Sequence, residues 1–170
     1  MAQHTMDALE PPASLYLDAA KGWYLLGCLK EALEDLQQIP PELQVHPDVL
    51  EVRFAICAKA RKWIICMEIA AAMLDLAPER PTTWINSAST LHALKQTEDA
   101  WEALASVQDR FPDVPGIAYE LACYACKLGR LDESRHQLQR AVKVGGVEFH
   151  RMALENYDLQ PLWSEIKAMM

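Results

Sequence analysis

Prolines return along this chain at a fixed interval. Pro47, Pro81 and Pro115 stand 34 residues apart, and so do Pro78 and Pro112. Nothing else in the sequence constrains the fold as strongly, because a fixed period of a few tens of residues marks repeated units that bury their apolar faces by stacking. Other columns keep the same register. Ala32, Cys66, Ala100 and Ser134 are all small. Leu36, Ala70, Leu104 and Leu138 are apolar, as are Ile39, Met73, Val107 and Ala141. The bulky column Tyr16, Leu50, Trp84 and Ala118 weakens only at its last member. Four units are expected, 13–46, 47–80, 81–114 and 115–148, after a loosely ordered segment 1–12.

Each unit reads as two helices. In the third, Trp84, Ala88 and Leu91 fall at i, i+4 and i+7, one helical stripe. A break is expected at Lys95-Gln96, with Thr97 as N-cap and Glu98 and Asp99 in the first turn, where the helix dipole favours anions. The second stripe runs Ala100, Leu104, Val107, and Phe111-Pro112 ends it. Gly129 separates the two helices of the fourth unit, as a left-handed C-terminal position would. The small column has a packing reason: helices about 8–10 Å apart need a small side chain at closest approach.

A 34-residue helix–turn–helix unit resembles the tetratricopeptide repeat (TPR) family, whose pattern is W-x2-L-G-x2-Y, then A-x3-F, then P. The third unit carries it best: Trp84-x2-Ser87-Ala88-x2-Leu91, Ala100-x3-Leu104, Pro112. The fourth gives Ala118-x2-Leu121-Ala122-x2-Ala125 and Ser134-x3-Leu138, with Gly146 where Pro is usual, and the first Tyr16-x2-Ala19-Ala20-x2-Trp23 and Ala32-x3-Leu36. The second departs most: Arg53 and Phe54 replace the apolar-then-small pair, and small Ala70 can compensate the volume of Phe54. The resemblance implies an all-α fold, a right-handed α-α superhelix of about four helical hairpins. Past Gly145-Gly146, a short helix over 149–157 and an amphipathic final helix with Leu159, Leu162, Trp163 and Ile166 would cap the last apolar face, making 149–170 the capping segment.

Composition narrows the functions. The 170 residues suit one domain, and 51% hydrophobic content with only 6 glycines suits a helical core. A net charge of −8 speaks against nucleic-acid binding, which needs Lys and Arg to displace counterions. The most apolar run, 63–77, is broken by Glu68 and Asp75 and is too short to span a membrane. With no basic start and no apolar stretch before Pro11-Pro12, a secretory signal is not expected. Five cysteines, an odd count, point to free thiols in a reducing, cytoplasmic setting.

The chemistry-bearing residues do not converge. Cys123-x2-Cys126 lies in mid-helix, away from the N-terminus that would activate a thiol. Zinc would need two further ligands at suitable spacing, and neither His136 nor His150 sits in such a motif. The five histidines (His4, His46, His92, His136, His150) do not cluster, and Ser89 and His92 are three apart on one helix, a trivial proximity. The chain is therefore expected to be no enzyme and to carry no cofactor or metal. The charge run Arg130 to Arg140 reads as a solvated face.

Function then rests on a surface. The resemblance implies that the first helices line a concave groove for a partner protein or peptide. By register, its lining is Leu17, Lys21, Tyr24 and Leu25; Asp48, Glu51, Ala55 and Lys59; Ile85, Asn86, Ser89 and His92; and Tyr119, Cys123 and Lys127. From these we single out Lys21, Tyr24, Glu51, Lys59, Ile85, Asn86, Ser89, His92, Tyr119 and Lys127 as the peptide-binding set. One TPR subset clamps acidic chaperone tails with Lys, Asn and Arg. Asn86 fits that clamp, but Glu51, Ala55, Gly116 and Glu120 stand where its other members belong. Two alternatives stay open: a secretion-type chaperone for partly unfolded substrates, which is similar in size and acidity and built of such repeats but is expected to carry three rather than four, and a structural homo-oligomer, such as a homodimer paired through Trp163 and Leu162 at a stack end.

Overall fold

The computed structural model describes residues 8–168; the first seven residues, with His4, and Met169 and Met170 lie outside the described residues. All regular structure among the described residues is helical, with no strand. The helices pair as antiparallel hairpins: α1 (Ala13–Leu26) with α2 (Leu29–Gln38), α3 (Pro47–Lys59) with α4 (Trp63–Leu76), α5 (Pro81–Ala93) with α6 (Thr97–Ala105), and α7 (Pro115–Lys127) with α8 (Leu131–Gly145). Three more segments follow: α9 (Val147–Glu155), a 3-10 stretch Tyr157–Leu162, and α10 (Trp163–Ala168). The helices form two compact units that part between Ala77 and Pro78. The first holds α1–α4 and the second α5–α10.

The recurring prolines have one job. Pro47, Pro81 and Pro115 each open their helix in its first turn, where the missing N–H costs nothing and the fixed φ suits the helix. The small column is interior throughout: Ala32, Cys66, Ala100 and Ser134 are all fully buried. Ser134 keeps its place because its Oγ donates to the Ala122 carbonyl at 2.7 Å, which satisfies its own buried hydroxyl. Gly129, at φ +78°, makes the left-handed exit from α7. Gly145 is needed for space, since a Cβ there would collide with the Phe149 ring and the Pro115 side chain. Arg53, the odd residue of the second repeat, is half-buried and donates to the Gln44 side chain. Gln44 in turn donates to the Leu36 and Ile39 carbonyls at the end of α2, so a charged side chain at an apolar position is satisfied rather than stranded. Phe54 and Ala70 lie in one apolar cluster.

Several expectations need correction. Thr97 is the first residue of α6, not its cap, and its hydroxyl pairs with His92 Nδ1 at 3.0 Å. Residues 159–166 do not make one amphipathic helix: a 3-10 stretch with Pro161 inside it precedes six-residue α10. Nor do Leu162 and Trp163 form an open stack end. Leu162 is 1% exposed, and Trp163 is half-buried, its Nε1 donating to the Ala153 carbonyl. The Arg130–Arg140 run is more than a solvated face. Arg130 makes two bonds to the Glu98 carboxylate and lies over the Trp101 ring, and Arg135 forks onto Glu165 at 2.6 and 2.8 Å.

Candidate functional site

The register-derived set divides between the two units. In the first, α1 and α3 bring two members together: Lys59 Nζ lies 4.9 Å from the centre of the Tyr24 ring and 3.4 Å from the Tyr24 carbonyl oxygen. Such a cation–ring pair costs Lys59 little solvation, because its head stays exposed. Lys21 is exposed and pairs with Asp18 on its own helix at 3.1 Å. Glu51 is half-buried on α3. Leu17 is displaced from the expected lining: it is 3% exposed and belongs to the apolar cluster of α1 and α2. Its position three to four residues from Ala13 and Ala20 turns it toward the core.

In the second unit, α5 contributes Ile85, Asn86, Ser89 and His92. The Asn86 carbonyl accepts from the hydroxyls of Ser89 and Thr90 at 3.0 and 2.9 Å. Ser89 therefore turns back onto its own helix, and no Ser–His pair forms. Ile85 packs over Gly116, 3.3 Å from where a Cβ would stand.

His92, Tyr119 and Lys127 meet on one face of α5 and α7, and the chain's own segment 152–158 lies on that face. Asp158 is held from two sides, by Lys127 Nζ at 2.9 Å and by His92 Nε2 at 3.1 Å. Asn156 Nδ2 donates to the Tyr119 hydroxyl at 3.1 Å and faces Cys123 Sγ at 3.3 Å. The Tyr119 hydroxyl donates on to the Met152 carbonyl. The His92 ring stacks on Tyr124 at 4.9 Å. Asn156 Oδ1 also accepts from the Asp158 backbone N–H, an Asx turn that aims the carboxylate.

Electrostatics follow from this crowding. Burial alone would raise the Asp158 carboxyl, but the hydrogen bond from Lys127 and the facing His92 hold it below the usual carboxylate range. Lys127 is raised by the same bond. Burial pushes the Glu120 carboxyl up, and Asp158 adds to this. Cys123 is pushed well up by burial, with Glu120 and Asp158 reinforcing it. Burial likewise raises Cys126, and takes Cys66 to about 11. These thiols are poor nucleophiles at neutral pH, since the thiolate is the reactive form. Among the described residues no three His, Cys, Asp or Glu side chains stand together as metal ligands. No described helix is long and apolar enough to cross a membrane.

Of the residues that complete this face, Asn156 and Asp158 escaped the register argument because they lie outside the repeats, and Tyr124 because its column on α7 was not assigned to the lining; Glu120 entered only as a misfit to the chaperone-tail clamp. The Asn-x-Asp spacing at 156–158 was the available signal, since it marks an Asx turn.

No family model matches the chain, and no curated protein matches it. Solved structures do. The chain is similar to "MamA 41-end from Desulfovibrio magneticus RS-1", with a TM-score of 0.68 at 18% identity over 95% of this chain and 94% of that one. It is equally similar to "MamA RS-1 ArsTM double mutant", with a TM-score of 0.67 at 18% identity over 95% and 93%. At such identity the likeness is one of fold: a helical, TPR-like repeat.

Proposed function

We propose that this chain is a non-enzymatic protein-interaction scaffold that holds a segment of a partner, an extended peptide or a helix, against the inner faces of its first helices. One observation carries the reading. The inner face of α5 and α7 accommodates a non-α-helical stretch of polypeptide by side-chain contacts: carboxylate to Lys127 and His92, amide to Tyr119. That is the chemistry by which such a face would hold a partner. In the second unit the position is taken by the chain's own Asn156–Asp158. The partner surface is therefore assigned to the first unit, to Lys21, Tyr24, Glu51 and Lys59. The Lys59–Tyr24 pair supplies an aromatic platform and a cation that suit a carboxylate-bearing segment.

A photoreactive side chain at position 24 tests this. It should cross-link a partner captured from cell extract, whereas one at Glu68 on α4 should not. A Tyr24→Ala, Lys59→Glu double variant with unchanged helicity should lose that capture. Undiminished capture would refute the assignment.

A further inference from the structure

The cap does not sit flush on α8. Arg135, Leu138, Gln139, Val142 and Lys143 fall at i, i+3, i+4, i+7 and i+8, one face of that helix. Polar ties hold the cap over this face. Arg135 forks onto Glu165 and so joins α10 to α8, and His150 Nε2 donates to the Ile166 carbonyl at 3.0 Å, joining α9 to α10. Between the three helices lies a cavity of about 370 Å³, inside the range of roughly 300–1,000 Å³ typical of small-molecule sites. Its walls are apolar: Leu138, Val142, Leu162 and Ile166. The lining is graded. Leu138, Leu162 and Ile166 are 7%, 1% and 2% exposed, whereas Gln139 and Lys143 are exposed, so the mouth lies on their side. Charge at the mouth is not balanced. The Arg135 guanidinium is engaged by Glu165 and by Asp132 at 2.6 Å, while Lys143 has no carboxylate partner among the described residues.

We propose that this cavity binds a single-chain aliphatic carboxylate, a medium-chain fatty acid, with its hydrocarbon tail between α8 and α10 and its carboxylate at Lys143. The shape of the site selects the tail. A partner helix is about 10 Å across with its side chains and cannot reach walls this recessed, whereas an unbranched chain can. Walls without polar groups favour hydrocarbon over water, which needs hydrogen-bond partners to stay. The length is set by α8. Arg135 to Lys143 spans eight residues, about 12 Å of helix, which an extended chain of roughly eight to ten carbons matches. The charge selects the head. Arg135 is held at the far end by Glu165, so the cation left to meet an anion is Lys143, and the Gln139 amide beside it adds a donor. The site shares no residue with the partner surface assigned to the first unit, or with the face that meets Asn156 and Asp158. It stands or falls without them.

Isothermal titration calorimetry of the full chain with sodium hexanoate, octanoate and decanoate, each below its micelle concentration, tests the proposal. One carboxylate should bind per chain, about fourfold tighter for each methylene added. Lys143→Gln should weaken decanoate by about two- to fivefold and leave decanol unchanged. Val142→Phe, which fills the cavity, should abolish binding of both with unchanged far-UV circular dichroism. Vesicles of phosphatidylcholine and phosphatidylglycerol should leave the chain in the supernatant on sedimentation. Absence of saturable decanoate binding would overturn the proposal, as would equal affinities along the series. So would equal loss of decanoate and decanol in Lys143→Gln, undiminished binding in a folded Val142→Phe, or binding to vesicles in place of decanoate. Should Val142→Phe not fold, the length series and Lys143→Gln decide between these outcomes.

Discussion

In the second unit the described apolar interior is one cluster of 17 buried residues, running from Ala88 on α5 to Ile166 on α10. In the first unit it is two clusters, of eight and seven. Exposure runs the other way. Leu15, Trp23, Leu25, Leu26, Val45, Ile64, Ile65, Met67 and Leu76 are exposed in the first unit, against Val144, Val147, Met152 and Tyr157 in the second. Both units are built on the same column pattern, so the columns are not the cause. What differs is covering chain. Helix α7 is buried almost throughout 117–126 because α8 packs on one side and residues 153–166 on another, while α1 buries only three residues. A repeat gains stability from its neighbours as much as from its own sequence.

The sharpest way to break this comparison is to open the cap. Leu162→Ala should cost about 2–5 kcal/mol, read as lost hydrogen-exchange protection in α7 and α8 while α1–α4 keep theirs. Equal loss in both units would mean that they share one core. Leu36→Ala removes a fully buried leucine of the first unit and should cost about 2–3 kcal/mol, less because a small cluster collapses more readily around the gap. Its effect in urea denaturation should reach Trp23 and Trp63 and spare Trp84 and Trp101.

Smaller effects distinguish the polar face under the cap. The folded chain holds the Asp158 carboxyl below its usual value. Its pairs thus add stability above about pH 4, and that contribution is lost as pH falls through the depressed folded value. Asp158→Asn should cost about 0.2–1 kcal/mol at pH 7, since Lys127 is half exposed, and nothing in strong acid. Glu120 has the opposite sign. Its raised folded value favours folding in acid, and that advantage is lost as pH rises through it. Glu120→Gln should therefore raise the thermal midpoint at pH 7 and leave it unchanged near pH 4. The least effect is expected at the exposed apolar positions: Leu25→Gln should change monomer stability by no more than about 0.5 kcal/mol.

Much of the fold was legible because its signals are local and repeated. Three helices open on prolines 34 residues apart, and each small column member is fully buried, so every repeat restates the same physical requirement. Boundaries that depend on a single contact were not legible. Thr97 reads as a cap from its neighbours alone, but His92 takes its hydroxyl. Leu17 reads as lining by register, but the direction of its side chain puts it in the core. That His92, Tyr119 and Lys127 of the candidate set would meet the chain's own residues 152–158 was not readable.

The periodic placement of apolar and small side chains was enough by itself to determine helical hairpins, because side chains three and four apart share a face wherever a helix forms. Only the folded chain decided that Asp158 would reach His92, 66 residues away, and Lys127, 31 away. Such contacts occur once, at the end of the array. Without a period to repeat them, they are set by where the cap comes to rest on α7.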